Sequence, residues 1–323
     1  MLDVRLQTLH LIEPFRIAHG ASSTRQVARL WANGAVGEAP FVPYYGDDPE
    51  QTVAWLREVE EPFSRLPAEG PRAGLLALDL LQRDRAGTRA GQPLAAQVPL
   101  ASARAGAIPA CRSFSIPTDL PAFADRVRDT ARQFQVLKLK LGSGNADFDE
   151  AIVAMAREAA PQVELIADVN GGWSVAETLK MMRALRRWRP ALIEQPVHHR
   201  DGLEPWRELK AKLPSDVPPL FADETAQPAA DVPALAELVA GVNVKLLKCG
   251  SFAGAVSMIE VARRHRLGLI LGCMIESSIG VTAAAHLAPW ADWVDLDGHL
   301  YVADDDHVGL AFDAQGCLVM PQT

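Results

Sequence analysis

Lysines and acids, at spacings that imply strands, are the residues with which this sequence could do chemistry. In Leu137-Lys138-Leu139-Lys140-Leu141, charged and apolar residues alternate strictly. That two-residue period is the period of a β-strand, so both lysines share one face. Neighbouring ammonium groups repel and burial adds a desolvation cost, and both effects lower a lysine pKa towards a neutral amine. Downstream, three apolar runs each end in an acid: Ile166-Ala167-Asp168, Leu192-Ile193-Glu194 and Leu220-Phe221-Ala222-Asp223. One such aspartate alone reads as a helix N-cap. Three on adjacent strands would ring one point with hard oxygen ligands, the donor set for Mg²⁺, and leave positions for a substrate. The run Val242 to Lys248 carries Lys245 and Lys248, and strand parity alone does not choose between them. Lysines on both flanks of a triacid metal site suit removal of a proton from one face of a carbon and delivery to the other.

Such residues need elements that bring them to one point. Apolar β runs begin near Cys111, Val136, Glu164, Ala191, Pro219, Val242, Gly268 and Trp293, separated by helical patterns. Eight strand signals with seven intervening helices predict an α/β fold, a (β/α)7β TIM-like barrel with function at the C-terminal strand ends. Ser174-Val175-Ala176-Glu177 is a capping box opening one of those helices. An open doubly wound sheet is the alternative, but no glycine-rich dinucleotide fingerprint follows any strand. The first hundred residues read as α+β. Val27–Leu30 and Ala35–Glu38 form a hairpin about Asn33-Gly34, a helix opens at Asp48-Pro49-Glu50 and runs towards Leu66, and a second spans Arg72 to Arg85. The expected organisation is a capping domain over 1–105, the barrel over 106–300, and a segment over 301–323 that returns to the capping domain.

Composition narrows the partners. The 323 residues are 49% hydrophobic with a formal net charge of -8, which offers no basic field for nucleic acid. Four scattered cysteines without CxxC pairs fit a reduced compartment. The N-terminal residues show no signal peptide, and no apolar run approaches the roughly 18 residues of a membrane span. The expectation is a cytoplasmic protein acting on a small molecule, without nucleic acid or membrane as partner.

With these residues assembled, the sequence resembles the enolase superfamily, in its muconate-lactonising group, and within that group the dipeptide epimerases. The motifs are Leu137–Lys140, Asp168-Val169-Asn170-Gly171-Gly172-Trp173, Ile193-Glu194-Gln195-Pro196-Val197, Ala222-Asp223-Glu224, Asn243–Lys248, Cys273–Ser278 and Asp295-Leu296-Asp297. The resemblance implies that Asp168, Glu194 and Asp223 hold Mg²⁺, which binds the substrate carboxylate. It selects Lys245 over Lys248 and makes Lys140 and Lys245 the acid/base pair, with Lys138 and Glu276 touching substrate. It assigns Asp295 and Asp297 to the free ammonium of a dipeptide, and two aspartates on one side of a strand do make an anionic clamp. Family members are often homo-oligomers.

The resemblance also implies that capping-domain loops touch the distal side chain, here Phe15 to Arg25 and Tyr44-Tyr45-Gly46. A basic residue there, Arg16, His19 or Arg25, would suit an acidic side chain, as in L-Ala-D/L-Glu epimerases that serve murein-peptide recycling. His19 stands where those enzymes carry an arginine, and Asp304-Asp305-Asp306 reads as a solvated turn. The alternatives are a dipeptide epimerase of other side-chain specificity, an o-succinylbenzoate synthase, an N-acylamino acid racemase, or a non-catalytic barrel that binds a ligand.

Overall fold

A computed structural model describes residues 2–60, 66–98, 100 and 103–321. The N-terminal sheet is antiparallel, in the order β1 (Asp3–Ile17), β2 (Gly20–Ala32), β3 (Ala35–Pro40). Ala32 pairs with Ala35 around Asn33 and Gly34, whose positive φ values of 53° and 83° make the expected two-residue turn. The strand β1 is absent from the sequence reading. Its inward residues change parity between Leu6 and Leu9, from Val4 and Leu6 to Leu9, Leu11 and Phe15, which breaks the alternation that would have revealed it. As a result Phe15 to Arg25, expected as a loop, is the tip of a β1–β2 hairpin turning at Ala18 and His19. Helix α1 (Pro49–Arg57) ends well short of Leu66, whereas α2 (Arg72–Ala90) runs five residues beyond Arg85 to a left-handed Gly91 cap.

Among the described residues, eight parallel strands follow in chain order: β4 (Cys111–Phe114), β5 (Val136–Lys140), β6 (Glu164–Asp168), β7 (Leu192–Glu194), β8 (Leu220–Ala222), β9 (Gly241–Val244), β10 (Gly268–Gly272) and β11 (Trp293–Asp295). Each begins within one residue of its expected start. Between them lie α3 (Leu120–Thr130), α4 (Ala146–Ala159), α5 (Val175–Leu185), α6 (Glu204–Lys212), α7 (Val232–Leu235), α8 (Leu246–Cys249) with α9 (Phe252–Arg264), and α10 (Ser278–Ala285). Asp119, Asn145, Ser174, Ser251 and Ser277 cap five of these helices with side-chain oxygens, and Ser174 and Glu177 complete the predicted box.

No backbone ladder among the described residues joins β11 to β4, so the barrel is nearly closed. Side chains bridge the seam instead: Ser113 Oγ donates to Asp295 and the Ser113 amide to Asp297. The C-terminal segment divides its contacts. Val302 bridges to Leu11 and the Ala303 amide donates to the His10 carbonyl, both on the N-terminal sheet. The hairpin β12 (Ala311–Phe312) and β13 (Leu318–Val319) lies instead against residues 108–110 and 133–134 at the start of the barrel.

Candidate active site

Parallel register sets the first three functional side chains side by side. Lys140 is opposite Asp168, and Asp168 is opposite Glu194, each as the last residue of its strand. Asp223 follows β8. Oxygens of Asp168, Glu194 and Asp223 lie within 4.8 Å of one another, and all three residues are fully buried. Lys140 Nζ is 2.6 Å from Asp168, and Lys138 Nζ, one pleat deeper, reaches Asp295 at 2.7 Å, Glu194 at 2.8 Å and Asp168 at 3.0 Å. Lys245 follows β9 and sits 2.6 Å from Asp223. With β5 second and β9 sixth of eight strands, Lys140 and Lys245 approach from opposite sides, and both line one cavity of about 700 Å³. Lys248 is turned into the wall, bonded to the carbonyls of Asp223 and Asn243 and to Asp223 Oδ1. Asn170 and Gln195, at the ends of β6 and β7, have left-handed φ values of 48° and 40°. Such strain is held where a site needs it: the Asn170 amide donates to Asp168 Oδ1, and Gln195 Oε1 accepts from the Asp223 amide.

The electrostatics reverse one expectation. Burial pulls Lys138 and Lys245 down, but the surrounding carboxylates outweigh it and hold both well above the usual lysine range. The neighbouring lysine and burial are visible in the sequence, whereas the acids that outweigh them come from other strands. Burial pushes the carboxyls up as well. Lys138 and Lys140 overcome this at Asp168, held at about 2, and Lys245 and Lys248 overcome it at Asp223, held far below the usual range. At Glu194 burial wins, reinforced by Asp168, and the carboxyl rises to about 8. Glu194 Oε2 lies 2.8 Å from Lys138 Nζ yet makes no directed hydrogen bond. Three converging buried carboxylates, one of them under-compensated, fit a hard divalent cation such as Mg²⁺.

Asp295 and Asp297 line the same cavity. Asp295 accepts from Lys138 and Ser113; Asp297 Oδ2 accepts from the Ser113 amide at 2.7 Å and Arg112 at 2.8 Å, with the Tyr301 hydroxyl 3.3 Å away. Arg112 also lies over the Tyr301 ring. Neither Arg112, Ser113 nor Tyr301 was singled out from sequence; inward strand parity from Cys111 would have found Ser113. Glu276, expected to touch substrate, is buried and is not among the cavity's lining residues; it accepts from the Met274 amide and is pushed by burial to about 8. Of the loop residues, His19 and Arg25 line the cavity, while Arg16 is exposed and is not among its lining residues. His19 packs edge-on against His198, and burial lowers its pKa. Asp304 and Asp306 are exposed, as a solvated turn would be, but all three aspartates of this segment have partners. Asp304 binds His10, Asp305 caps Ser278 and Asp306 pairs with buried Arg29, stapling the C-terminal segment across sheet and barrel.

Comparison with known proteins agrees with this geometry. A family model described as enolase C-terminal domain-like matches residues 122–322. The chain is 34% identical over 97% of its length to a hydrophobic dipeptide epimerase from Roseobacter litoralis, covering 94% of that protein. The chain belongs to the enolase superfamily, among its dipeptide epimerases. It is also 38% identical to an L-Ala-D/L-amino acid epimerase from Pedosphaera parvula, over 75% of this chain and 68% of that one. An enolase family member from Agrobacterium tumefaciens with homology to dipeptide epimerases, solved with sodium and L-Ala-L-Glu, superposes with a TM-score of 0.87 at 25% identity. That match covers 100% of this chain and 98% of the other. Among the described residues of this dipeptide epimerase family member, no helix is long and apolar enough to cross a membrane.

Proposed function

We propose that the protein is a Mg²⁺-dependent dipeptide epimerase that inverts the α-carbon of the C-terminal residue. The observation that carries this reading is the pair Lys140 and Lys245, from opposite sides of one cavity, with the acid triad between them. Asp168, Glu194 and Asp223 would hold the cation. When bound, it supplies two positive charges that draw the substrate carboxylate and loosen the acids' hold on the lysines. One lysine, as the free amine, takes the α-proton from its face. The opposite lysine, as ammonium, gives a proton to the other face of the planar carbanion. The two lysines have then exchanged protonation states, and the enzyme is set for the reverse reaction.

Asp295 and Asp297 would receive the dipeptide ammonium. Among the described residues, the side-chain hydrogen bonds of Asp297 fall on Oδ2, so Oδ1 is the oxygen offered to it. Phe15, Ile17, Phe41, Val42, Met274 and Ile275 on the cavity lining favour an apolar side chain at the inverted residue. The guanidinium of Arg25 on the same lining supports the L-Ala-D/L-Glu reading and a place in murein-peptide recycling. Incubation with L-Ala-L-Glu, L-Ala-L-Leu and a wider L,L-dipeptide set in D₂O with Mg²⁺, followed by mass spectrometry, tests both. Deuterium at the C-terminal α-carbon with conversion to the epimer is the expected result. No exchange with any dipeptide, from protein shown to bind Mg²⁺, sinks the proposal.

A further inference from the structure

We infer that Asn243, in the space left by Gly272, is a positioning residue that selects which oxygen of Glu194 faces the metal position. This rests on the proposed function only in taking Asp168, Glu194 and Asp223 as the metal ligands. Asn243 is an inward position of β9, paired in parallel register with Ile270 and wholly buried. Its Nδ2 donates to Glu194 Oε1 at 2.7 Å. Ionised Glu194, the form that would hold a metal, only accepts, so the amide presents nitrogen to it, and Asn243 Oδ1 is left buried without a hydrogen-bond partner. An unpaired buried oxygen is a standing cost, tolerated for what the nitrogen does. With Oε1 engaged, Oε2 is the oxygen that approaches Lys138 Nζ, the ammonium that also touches Asp168.

One further contact, through its main chain, makes Asn243 a hub. Its carbonyl accepts from Lys248, whose ammonium also grips Asp223 Oδ1, so one residue ties together two of the three acids. Gly272 makes room for it. A Cβ built there would stand 2.6 Å from Asn243 Oδ1, 2.9 Å from Nδ2 and 3.0 Å from Lys245 Cε. Any side chain at 272 would therefore push the amide off Glu194 and crowd the stem of Lys245.

The test is Mg²⁺ affinity by isothermal titration calorimetry without substrate, on wild type, Asn243→Leu, Asn243→Ser and Gly272→Ala. Loss of a group that orients a metal ligand weakens binding by about 10–100-fold, and that is the expected result for each variant. Turnover should recover as Mg²⁺ is raised, which a defect confined to folding would not allow. An Mg²⁺ dissociation constant within about threefold of wild type in the folded variants overturns the inference. So does failure of all three to fold, which would make these residues scaffold. Because metal binding is read without substrate, wild type that binds Mg²⁺ but epimerises nothing defeats the proposed reaction and leaves this inference standing.

Discussion

Two layers of the barrel interior lie one pleat apart, about 6.6 Å, on the same strands. The lower layer is apolar: Cys111, Ile166, Leu192, Phe221 and Ile270 pack into their own buried cluster, with Val136 and Trp293 against it. The residues two positions on are Ser113, Asp168, Glu194, Asp223, Gly272, Lys138 and Asp295. On β9 the same step leads from Gly241 to Asn243. Backbone geometry treats the layers alike, since inward residues recur every second position. Their energetics differ. The lower layer is held by area removed from water. The upper layer holds buried charges that are tolerable only because each has partners of opposite sign on other strands. Removing a side chain should therefore cost stability in one layer and chemistry in the other.

The largest separation is expected at Lys140 and Lys245, two residues beyond Lys138 and Asn243 of the upper layer. Lys140→Ala and Lys245→Ala should each lower epimerisation by about 10²–10⁴-fold, the usual worth of a positioned acid or base, with the fold retained. In D₂O the two variants should lose α-proton exchange on opposite epimers, followed by NMR; identical exchange defects would break the two-face account. Next, Phe221→Ala should destabilise by about 3–5 kcal/mol in denaturant titrations while the folded fraction keeps its kcat. A variant with lost activity and unchanged stability would erase the distinction between the layers.

Asp297→Asn sharpens the upper layer's edge. Weakening one charged contact to the substrate ammonium should raise KM by roughly 10–100-fold, with kcat much less affected. A substrate lacking the ammonium should show no such change. The smallest effect concerns pH. Glu276, pushed by burial to about 8, stays protonated in the folded chain above pH 4.5, where an ordinary glutamate ionises. Its contribution is complete below about 4.5 and is lost as pH rises through about 8, so stability without metal should fall across that window. Glu276→Gln should flatten part of the fall in thermal midpoint, and an unchanged slope removes Glu276 as its source.

Much of the site was legible because its signals are local. An acid ending an apolar run, and lysines at a two-residue period, place Lys138, Lys140, Asp168, Glu194 and Asp223 without any knowledge of neighbours. The capping box at Ser174 and the turn at Asn33-Gly34 are equally local, and both stand as read. The rest failed for identifiable reasons. The strand β1 hid behind a change of parity between Leu6 and Leu9, and the helix from Pro49 stopped at Arg57. Arg16 and His19 sit three residues apart near a hairpin tip, yet only His19 reaches the cavity lining.

The order of residue types along the chain was enough to determine the barrel, its strand ends and the acids and lysines near them, but not the choice of Lys245 over Lys248 or the presence of Arg112, Ser113 and Tyr301. Tertiary structure alone decided their charge state and their partners. Lys138 reads as a lysine driven towards neutrality when only Lys140 and burial are counted, and becomes a firmly held ammonium once Asp295, Asp168 and Glu194 surround it. In the same way Asp305 and Asp306, still at least partly exposed, gain fixed partners once Ser278 and Arg29 come to meet them. Strand period depends on a residue and its next neighbours. A buried charge depends on every other charge within a few ångströms, and in a barrel those come from parts of the chain far apart in sequence.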